Sequence, residues 1–441
     1  MTLDKQEYKN MKMKNLRWWV IALIALATVI NYIDRQALSV LWPYMGSEIY
    51  PEKNADELKD VLGTVSVVFL FSYAIGQAVF GKIFDWIGTR FGFVLSIGVW
   101  SLATALHAFA QGVLTFSFFR SILGIAEAGN WPGAAKANAE WFPSKERALA
   151  QGIFNSGAAI GGIISVPLIA YLALFFSWKV IFVLIGLIGL LWLIPWLVLV
   201  KAPPIKHPWI TDEEREYILS GQKSVSNESC EVDEYVPSYG EMLSRKESWG
   251  VIIATAAIDP IWWLFIVWIP TYLVEVYDMN VEGLAIIGWV PYVGAMFGAW
   301  FGGLLSQNRI KAGWSVNKTR KTVIVLGCLI MLPALLMLVN PGSANSAVLI
   351  MAAILFGFQT SIGSIQTLPS DMLGKDSVGS LSGFSGMAAK FSAAGLTKLV
   401  PILTVGANYH SVFILGAALA FIVMLSILFL CPKIEPLKSK K

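Results

Sequence analysis

The chain has 441 residues, of which 56% are hydrophobic and only 14% are charged. An ordinary soluble domain carries about 25% charged residues, so a globule of this composition lacks the polar surface to cover itself in water. Disorder, coiled coil and nucleic-acid binding are excluded by the same numbers, while the net charge of +4 is small and says little by itself.

Cys230, Cys328 and Cys431 form no CxxC pair, and His107, His207 and His410 are scattered. Neither a disulfide framework nor a metal site is suggested. There is no phosphate-binding G-x-x-x-x-G-K-[ST] loop and no nucleophile–base constellation. The chain therefore reads as neither an ATPase nor any other enzyme, and no organic or metal cofactor is expected.

A helix needs about 20 apolar residues to cross a bilayer. Stretches of that kind fall at 18–42, 61–81, 91–110, 113–136, 148–175, 178–200, 250–276, 283–307, 321–340, 345–373, 377–404 and 408–431, which predicts twelve transmembrane helices. The first is too long for the core of a signal peptide. Asn31, Asp34 and Arg35 are also poor cleavage-site residues, so it reads as a retained helix.

The basic residues set the orientation. Of the 33 Lys and Arg, only Lys53, Lys59 and Lys179 fall in loops on one side, and Arg35, Arg120, Lys390 and Lys398 lie inside spans. All the others, including Lys5, Lys9, Lys12, Lys14 and Arg17 at one terminus and Lys433, Lys438, Lys440 and Lys441 at the other, share the opposite side. That places both termini in the cytoplasm.

The long polar insert divides the chain. We read a cytoplasmic N-terminus at 1–17, a six-helix bundle at 18–200, a cytoplasmic linker at 201–249, a second six-helix bundle at 250–431 and a cytoplasmic tail at 432–441. The halves echo each other. Lys145–Glu146 and Lys375–Asp376 precede Asn155–Ser156–Gly157 and Phe384–Ser385–Gly386, and Trp178 with Phe182 matches Tyr409 with Phe413. Parallel six-helix halves are a transporter architecture.

The segment Gly81–Lys–Ile–Phe–Asp85–Trp–Ile–Gly88–Thr–Arg90 resembles the signature of the major facilitator superfamily between its second and third helices. Trp86 stands where that signature carries a basic residue. The resemblance implies a gating role for Gly81, Asp85, Gly88 and Arg90, with close helix contact at Gly81 and an ion pair between Asp85 and Arg90.

Within the superfamily the chain resembles the anion:cation symporters, and most of all the bacterial hexuronate:proton symporters. The segments that carry this are Asn31–Tyr–Ile–Asp34–Arg35–Gln36, Gly124–Ile–Ala–Glu127–Ala–Gly–Asn130–Trp–Pro132, Glu140–Trp–Phe–Pro143–Ser–Lys–Glu–Arg147 and Phe154–Asn155–Ser–Gly157. In the second half they are Asp259–Pro260–Ile–Trp262–Trp263, Trp268–Ile–Pro270 and Trp289–Val–Pro291–Tyr292. The resemblance implies an all-α major facilitator fold with two pseudo-symmetric bundles. It also implies a bacterial inner-membrane location, a monomer, a small carboxylate substrate and the proton as coupling ion.

An ionisable group in a span costs at least about 2.5–3.5 kcal/mol, so such groups must pair, face water or work. Helix 1 carries Asn31, Asp34 and Arg35; helix 4 carries Arg120 and Glu127, seven apart and thus on one stripe. Counting about 1.5 Å per residue places Asp34 and Arg120 at similar depth, where they can pair. Glu127 falls near the midplane with no partner in its own helix. A carboxyl taken out of water favours its proton, and a neighbouring guanidinium opposes this. Moving the guanidinium onto a substrate carboxylate therefore couples anion binding to protonation. The resemblance gives Arg35 the role of carboxylate anchor and Asp34 and Glu127 the role of proton carriers, with Arg120 beside them. The alternative is a static ion-pair network tying helices 1 and 4.

Tyr73 matches a tyrosine of the family, and Asn155, Gln359 and Ser382 are polar residues at pore depths. Each either bonds sugar hydroxyls or ties helices together. Trp262 and Trp263 lie mid-span, where one stacks on a sugar ring or both pack. Lys390 is a departure: it lies deep in helix 11, as a second anion anchor, as the partner of a carboxylate, or as a lysine buried neutral or bonded to a carbonyl. Lys398 reads as an interfacial lysine reaching toward the head groups.

The function that follows is import of a sugar acid, such as glucuronate, galacturonate or an aldonate, with protons by alternating access. An organic-anion exchanger or exporter on the same scaffold is the alternative, and a non-transporting membrane sensor a third.

Overall fold

In the computed structural model, residues 12–143, 146–227, 239–373 and 375–435 are described. Among them the chain is helical, with a single isolated backbone bridge between Met13 and Ile210.

The helices are α1 (Leu16–Ile49), α2 (Ala55–Leu106), α3 (Val113–Glu127), α4 (Asn130–Trp141), α5 (Arg147–Ala173), α6 (Trp178–Leu199), α7 (Asp212–Asn227) and α8 (Tyr239–Leu243). They continue as α9 (Lys246–Tyr277), α10 (Val281–Ile287), α11 (Val290–Lys311), α12 (Val316–Met337), α13 (Ala344–Met372), α14 (Lys375–Leu403) and α15 (His410–Leu425). Ten helical segments among the described residues are long and apolar enough to cross a membrane.

Local chemistry explains several boundaries. Asn54 and Glu57 cap α2 reciprocally, each side chain accepting the other's backbone N–H at 3.0 and 2.9 Å. Ser315 and Ser343 cap α12 and α13 by accepting the N–H of Lys318 and Ser346. Within α2, Gly88 takes φ 78° and ψ 169°, a region open in practice only to glycine, and there the predicted second and third spans separate.

The predicted fourth span is two helices. Pro132 has no N–H for the carbonyl of Ala128, and its ring crowds that carbonyl, so α3 cannot run on into α4. Ser96 Oγ donates to the carbonyl of Ala126 at 2.7 Å, which also accepts the N–H of Gly129 at 3.2 Å. Glu127 is consequently the last residue of α3.

The helices pack as two units. The first unit comprises residues up to Arg35, Ser72–Gly161 and Ser177–Val232; the second comprises Gln36–Phe71, Gly162–Phe176 and Asp233 onward. The units therefore cut across the two halves read from the sequence, and α1 is divided between Arg35 and Gln36.

In the first unit, a Cβ on Gly76 would run into the backbone of Ile125, and one on Gly157 into the carbonyl of Ala25. The first part of the linker, with α7, belongs to this unit. Glu214 of α7 accepts the N–H groups of Leu16 and Arg17 at 3.1 and 3.2 Å, capping α1 from outside its own sequence. Arg17 pairs with Glu214 at 2.8 Å and with Glu146 at 2.9 Å. Lys12 pairs with Asp212, and Met13 N–H donates to the carbonyl of Trp209.

In the second unit, Gly294, Gly298 and Gly302 form a four-residue repeat along α11. A Cβ on each would meet the backbone of Ala352, Phe356 and Thr360 of α13. Small residues at this spacing let two apolar helices approach closely without help from water exclusion. α9 is the inner helix of this unit and packs against α13, α14 and α15.

Candidate functional site

The first unit brings Asn31, Asp34, Arg35, Glu127 and Arg120 into one buried cluster, each 6% exposed or less. Arg35 Nη2 donates to Glu127 Oε2 at 3.0 Å, and Arg35 Nε reaches the same oxygen at 3.3 Å. Arg35 Nη2 also donates to Asn31 Oδ1 at 2.9 Å, one helical turn earlier. The Tyr32 and Tyr73 rings flank the guanidinium, with centroids 5.0 and 5.2 Å from its central carbon.

The pairing differs from the one read by depth. Glu127 takes Arg35, whereas neither oxygen of Asp34 makes a hydrogen bond among the described residues. The reason is angular. Asp34 and Arg35 are adjacent on α1 and point about 100° apart, so the face that presents Arg35 to Glu127 turns Asp34 elsewhere. Helical rise fixed depth, but not azimuth. Glu127 Oε1 likewise has no hydrogen-bond partner among the described residues. Both Arg35 contacts converge on Oε2, so the two groups do not use the fork geometry that binds a carboxylate through both oxygens.

Gly81 has open space where a Cβ would stand, so it makes no close helix contact; Gly76 does that instead. Gly88 breaks the helix. Arg90 donates to the carbonyls of Lys201 and Leu197 at 2.8 and 3.4 Å, neutralising the C-terminal end of α6. The side chain of Asp85 lies outside the described residues. Asn155 is exposed, with Oδ1 accepting from Gln151 at 3.1 Å.

The second unit holds a second charged pair. Lys390 Nζ lies 2.7 Å from Asp259 Oδ2, and the ammonium stands 5.4 Å from the Trp263 ring centroid. Of the readings for Lys390, the partner of a carboxylate fits this geometry. Trp262 is packed rather than open: Phe358 stacks on it at 5.3 Å and Tyr292 meets it edge-on at 6.3 Å. Its depth in the span could not distinguish a packed ring from a sugar platform. Gln359 is half-buried beside Phe358, and Ser382 is exposed.

A third cluster was not read from the sequence. Lys59, 1% exposed, bonds the carbonyl of Thr404 at 2.6 Å and pairs with Asp56 at 2.8 Å and Glu275 at 3.4 Å. Tyr409 donates to Glu275 at 2.8 Å. Lys398 pairs with Asp60 at 2.7 Å and bonds Thr64 at 2.9 Å, so it is tied to α2 instead of reaching for head groups. Gly406, at φ 67°, turns its N–H toward Asp56. Lys59 looked like a loop lysine because the acceptors that bury it are more than 200 residues away in sequence, at Glu275 and Thr404. The capping box at Asn54–Glu57 was the one local sign that the helix begins early enough to include it.

The comparisons agree with this architecture. Residues 24–397 match the family described as the Major Facilitator Superfamily. The hexuronate transporter of Escherichia coli K12 is 31% identical over 411 residues, covering 91% of each chain. The galacturonate transporter of Dickeya chrysanthemi is 32% identical, covering 73% of this chain and 90% of that one. Among solved structures, a D-xylose–proton symporter superposes with a TM-score of 0.69 at 15% identity, covering 94% of this chain and 97% of that one. A bacterial homologue of the human lysosomal transporter Spinster does so with 0.68 at 17%, covering 95% and 96%.

Proposed function

The chain belongs to the major facilitator superfamily, and we propose that within it the protein imports a sugar acid, a hexuronate or an aldonate, together with protons. The observation that carries this reading is the Arg35–Glu127 pair with Asn31 alongside. A guanidinium that meets its carboxylate through one oxygen gains a second on exchanging it for a substrate carboxylate in the bidentate geometry. Hexuronate and galacturonate transporters among the relatives support the same substrate class.

In this scheme Glu127 and Asp34 carry the coupled proton, and Arg120 sets the local charge. A proton on Glu127 weakens its hold on Arg35, and the freed guanidinium takes the substrate carboxylate. The substrate in turn keeps Arg35 from the acid, so the proton stays until both are released. Such linkage makes a proton gradient drive accumulation, since neither event is favourable alone. We further propose twelve spans in two six-helix bundles, with both termini cytoplasmic, in a bacterial inner membrane. The Asp56–Lys59–Glu275 cluster then lies at the outer end.

The test is uptake of labelled galacturonate into proteoliposomes by the wild type and by Arg35→Lys. A lysine keeps the charge but lacks the planar fork, so the variant is expected to lose at least about tenfold in affinity. Equal uptake by a well-folded Arg35→Lys protein contradicts the anchor role.

A further inference from the structure

At the end of α6 remote from the linker, the first unit carries a groove of about 500 Å³. One wall is α6, through Lys179, Val180, Val183 and Leu184; the other is the turn that follows α2, through Phe109 and Gln111. The walls are fixed to each other. His107 is fully buried in that turn, and its ring stacks on Phe182 of α6 at 5.2 Å. Further along, a Cβ on Gly186 or Gly189 would run into Ser101, so α2 and α6 touch there. Thr115 Oγ1 accepts the N–H groups of Gln111 and Gly112 at 3.0 and 3.1 Å, which ties down the far end of the turn. A groove held in this way needs little ordering when a ligand enters.

The groove continues into an apolar surface. Trp86–Phe109 and Trp178–Leu199 are both long and apolar enough to cross a membrane, and the groove lies where the first ends and the second begins. Phe109 is 70% exposed. From Val180 an exposed apolar stripe follows α6 through Leu187, Leu191 and Ile194, with half-buried Leu184 filling the step between the first two. From Lys179 to Leu191 the helix rises about 18 Å. Half of the hydrocarbon core is about 15 Å, so the stripe is as long as an acyl chain of one leaflet.

One cation stands at the head of this stripe. Lys179 is exposed, and its ammonium lies 5.3 Å from the centroid of the Trp178 ring, which packs on Phe116 and Phe182. No acidic residue occurs in 86–126 or 147–211, the segments that build both walls, so no carboxylate of the walls answers the charge. Lys59, by contrast, is met by Asp56 and Glu275. The exposed side chain of Gln111 adds an amide donor on the opposite wall. A ligand that satisfies the whole groove joins an anionic head, rich in acceptor oxygens, to a long apolar tail. A free anion leaves the apolar walls uncovered, and a plain hydrocarbon leaves the ammonium without a counter-charge.

We propose that this groove binds an anionic phospholipid of the surrounding bilayer, with its phosphodiester on Lys179 and Gln111 and one acyl chain laid along α6 from Val183 and Leu184 toward Leu191. Lys179 selects the head group by charge, and the apolar walls select a lipid over a free anion. The bound lipid braces the turn after α2 against α6.

The experiment is photo-crosslinking of the full-length protein in phosphatidylcholine nanodiscs. They carry a small fraction of either phosphatidylglycerol or phosphatidylcholine with a photoactivatable acyl chain, and labelled peptides are mapped by mass spectrometry. Labelling beside Arg309 and Lys311, at the basic end of α11, is the internal reference. Wild type is expected to label 106–114 and 179–191 about fivefold more with phosphatidylglycerol than with phosphatidylcholine, the effect of one lysine on an anionic head group. Lys179→Gln changes an exposed side chain and should bring the two lipids level there. Val183→Trp fills the groove and should lower labelling of 106–114 by both. Size-exclusion profiles establish that each variant is folded. Equal labelling by the two head groups in the wild type overturns the site. So does a phosphatidylglycerol preference that survives Lys179→Gln, or wild-type labelling of Val183→Trp.

Discussion

Arg35 and Glu127 form an ion pair of 3.0 Å in which the arginine side chain is 5% exposed and the glutamate fully buried. Charges so enclosed are costly to separate, so the pair controls both the stability of the first unit and the energy of substrate entry. Removing one partner leaves an uncompensated charge, which costs about 3–5 kcal/mol. Arg35→Ala should therefore lower the melting temperature of the purified protein sharply, and adding Glu127→Gln should restore most of the loss. Additive losses in the double variant would show that the two residues are not coupled in this way.

The cap that Glu214 provides to α1 makes a second prediction. Leu16 and Arg17 are at the first turn of α1, where backbone N–H groups have no partner within the helix. Glu214→Ala withdraws the acceptor supplied by α7 and should cost about 1 kcal/mol of local stability. Hydrogen exchange is expected to speed up in the first turn of α1 and not in its middle. Unchanged protection at Leu16 and Arg17 contradicts the cap.

His207 supplies a pH prediction for the same region. It is fully buried, with Nδ1 accepting the N–H of Trp209 at 3.2 Å and Nε2 set 2.9 Å from the carbonyl of Leu199. The neutral ring accepts at Nδ1, while Nε2 lies between the Leu199 carbonyl and the Lys201 N–H at 3.3 Å. Burial pushes its pKa below the ordinary value of 6.5, and Lys201, Arg215 and Arg90 add to the effect. The unfolded segment then binds the proton more readily than the folded one. Stability is complete above about 6.5 and declines as pH falls through and below that value. Exchange protection of the linker should weaken between pH 7 and 5, and His207→Asn should flatten the trend. A linker whose protection is constant across that range contradicts the assignment.

The Lys59 cluster predicts a local opening. Lys59→Met removes the cation shared by Asp56, Glu275 and the carbonyl of Thr404. The remaining carboxylates repel, and the turn at Gly406 loses its anchor. Hydrogen exchange at residues 404–409 should rise by at least about tenfold, the equivalent of roughly 1.4 kcal/mol. Retained protection would place the cost elsewhere.

Much of this was legible in the sequence because a membrane makes charge expensive. Arg35, Arg120, Glu127, Asp34 and Lys390 stood out against an apolar background, and the structure gathers the first four into one cluster. Three things were not legible. The partner of each charge depends on helix azimuth, so Glu127 meets Arg35, and Asp259 stood in a family motif without being seen as the partner of Lys390. The break at Ala128–Gly129 hid inside an apolar run, although Gly129 and Pro132 marked it. The packing units depend on contacts distant in sequence. Lys59 therefore looked like a loop lysine and Lys398 like an interfacial one, and Gly81, in a segment resembling a family signature, was expected to make a contact that Gly76 makes.

The central claim is that Glu127 links proton and substrate through Arg35. The direct measurement is galacturonate uptake by Glu127→Gln in proteoliposomes, driven either by an inward proton gradient or by counterflow at uniform pH. The account predicts that the gradient no longer drives accumulation while counterflow persists, since an amide still fits beside Arg35 but carries no exchangeable acid proton. Uphill accumulation at the wild-type level by Glu127→Gln would contradict it.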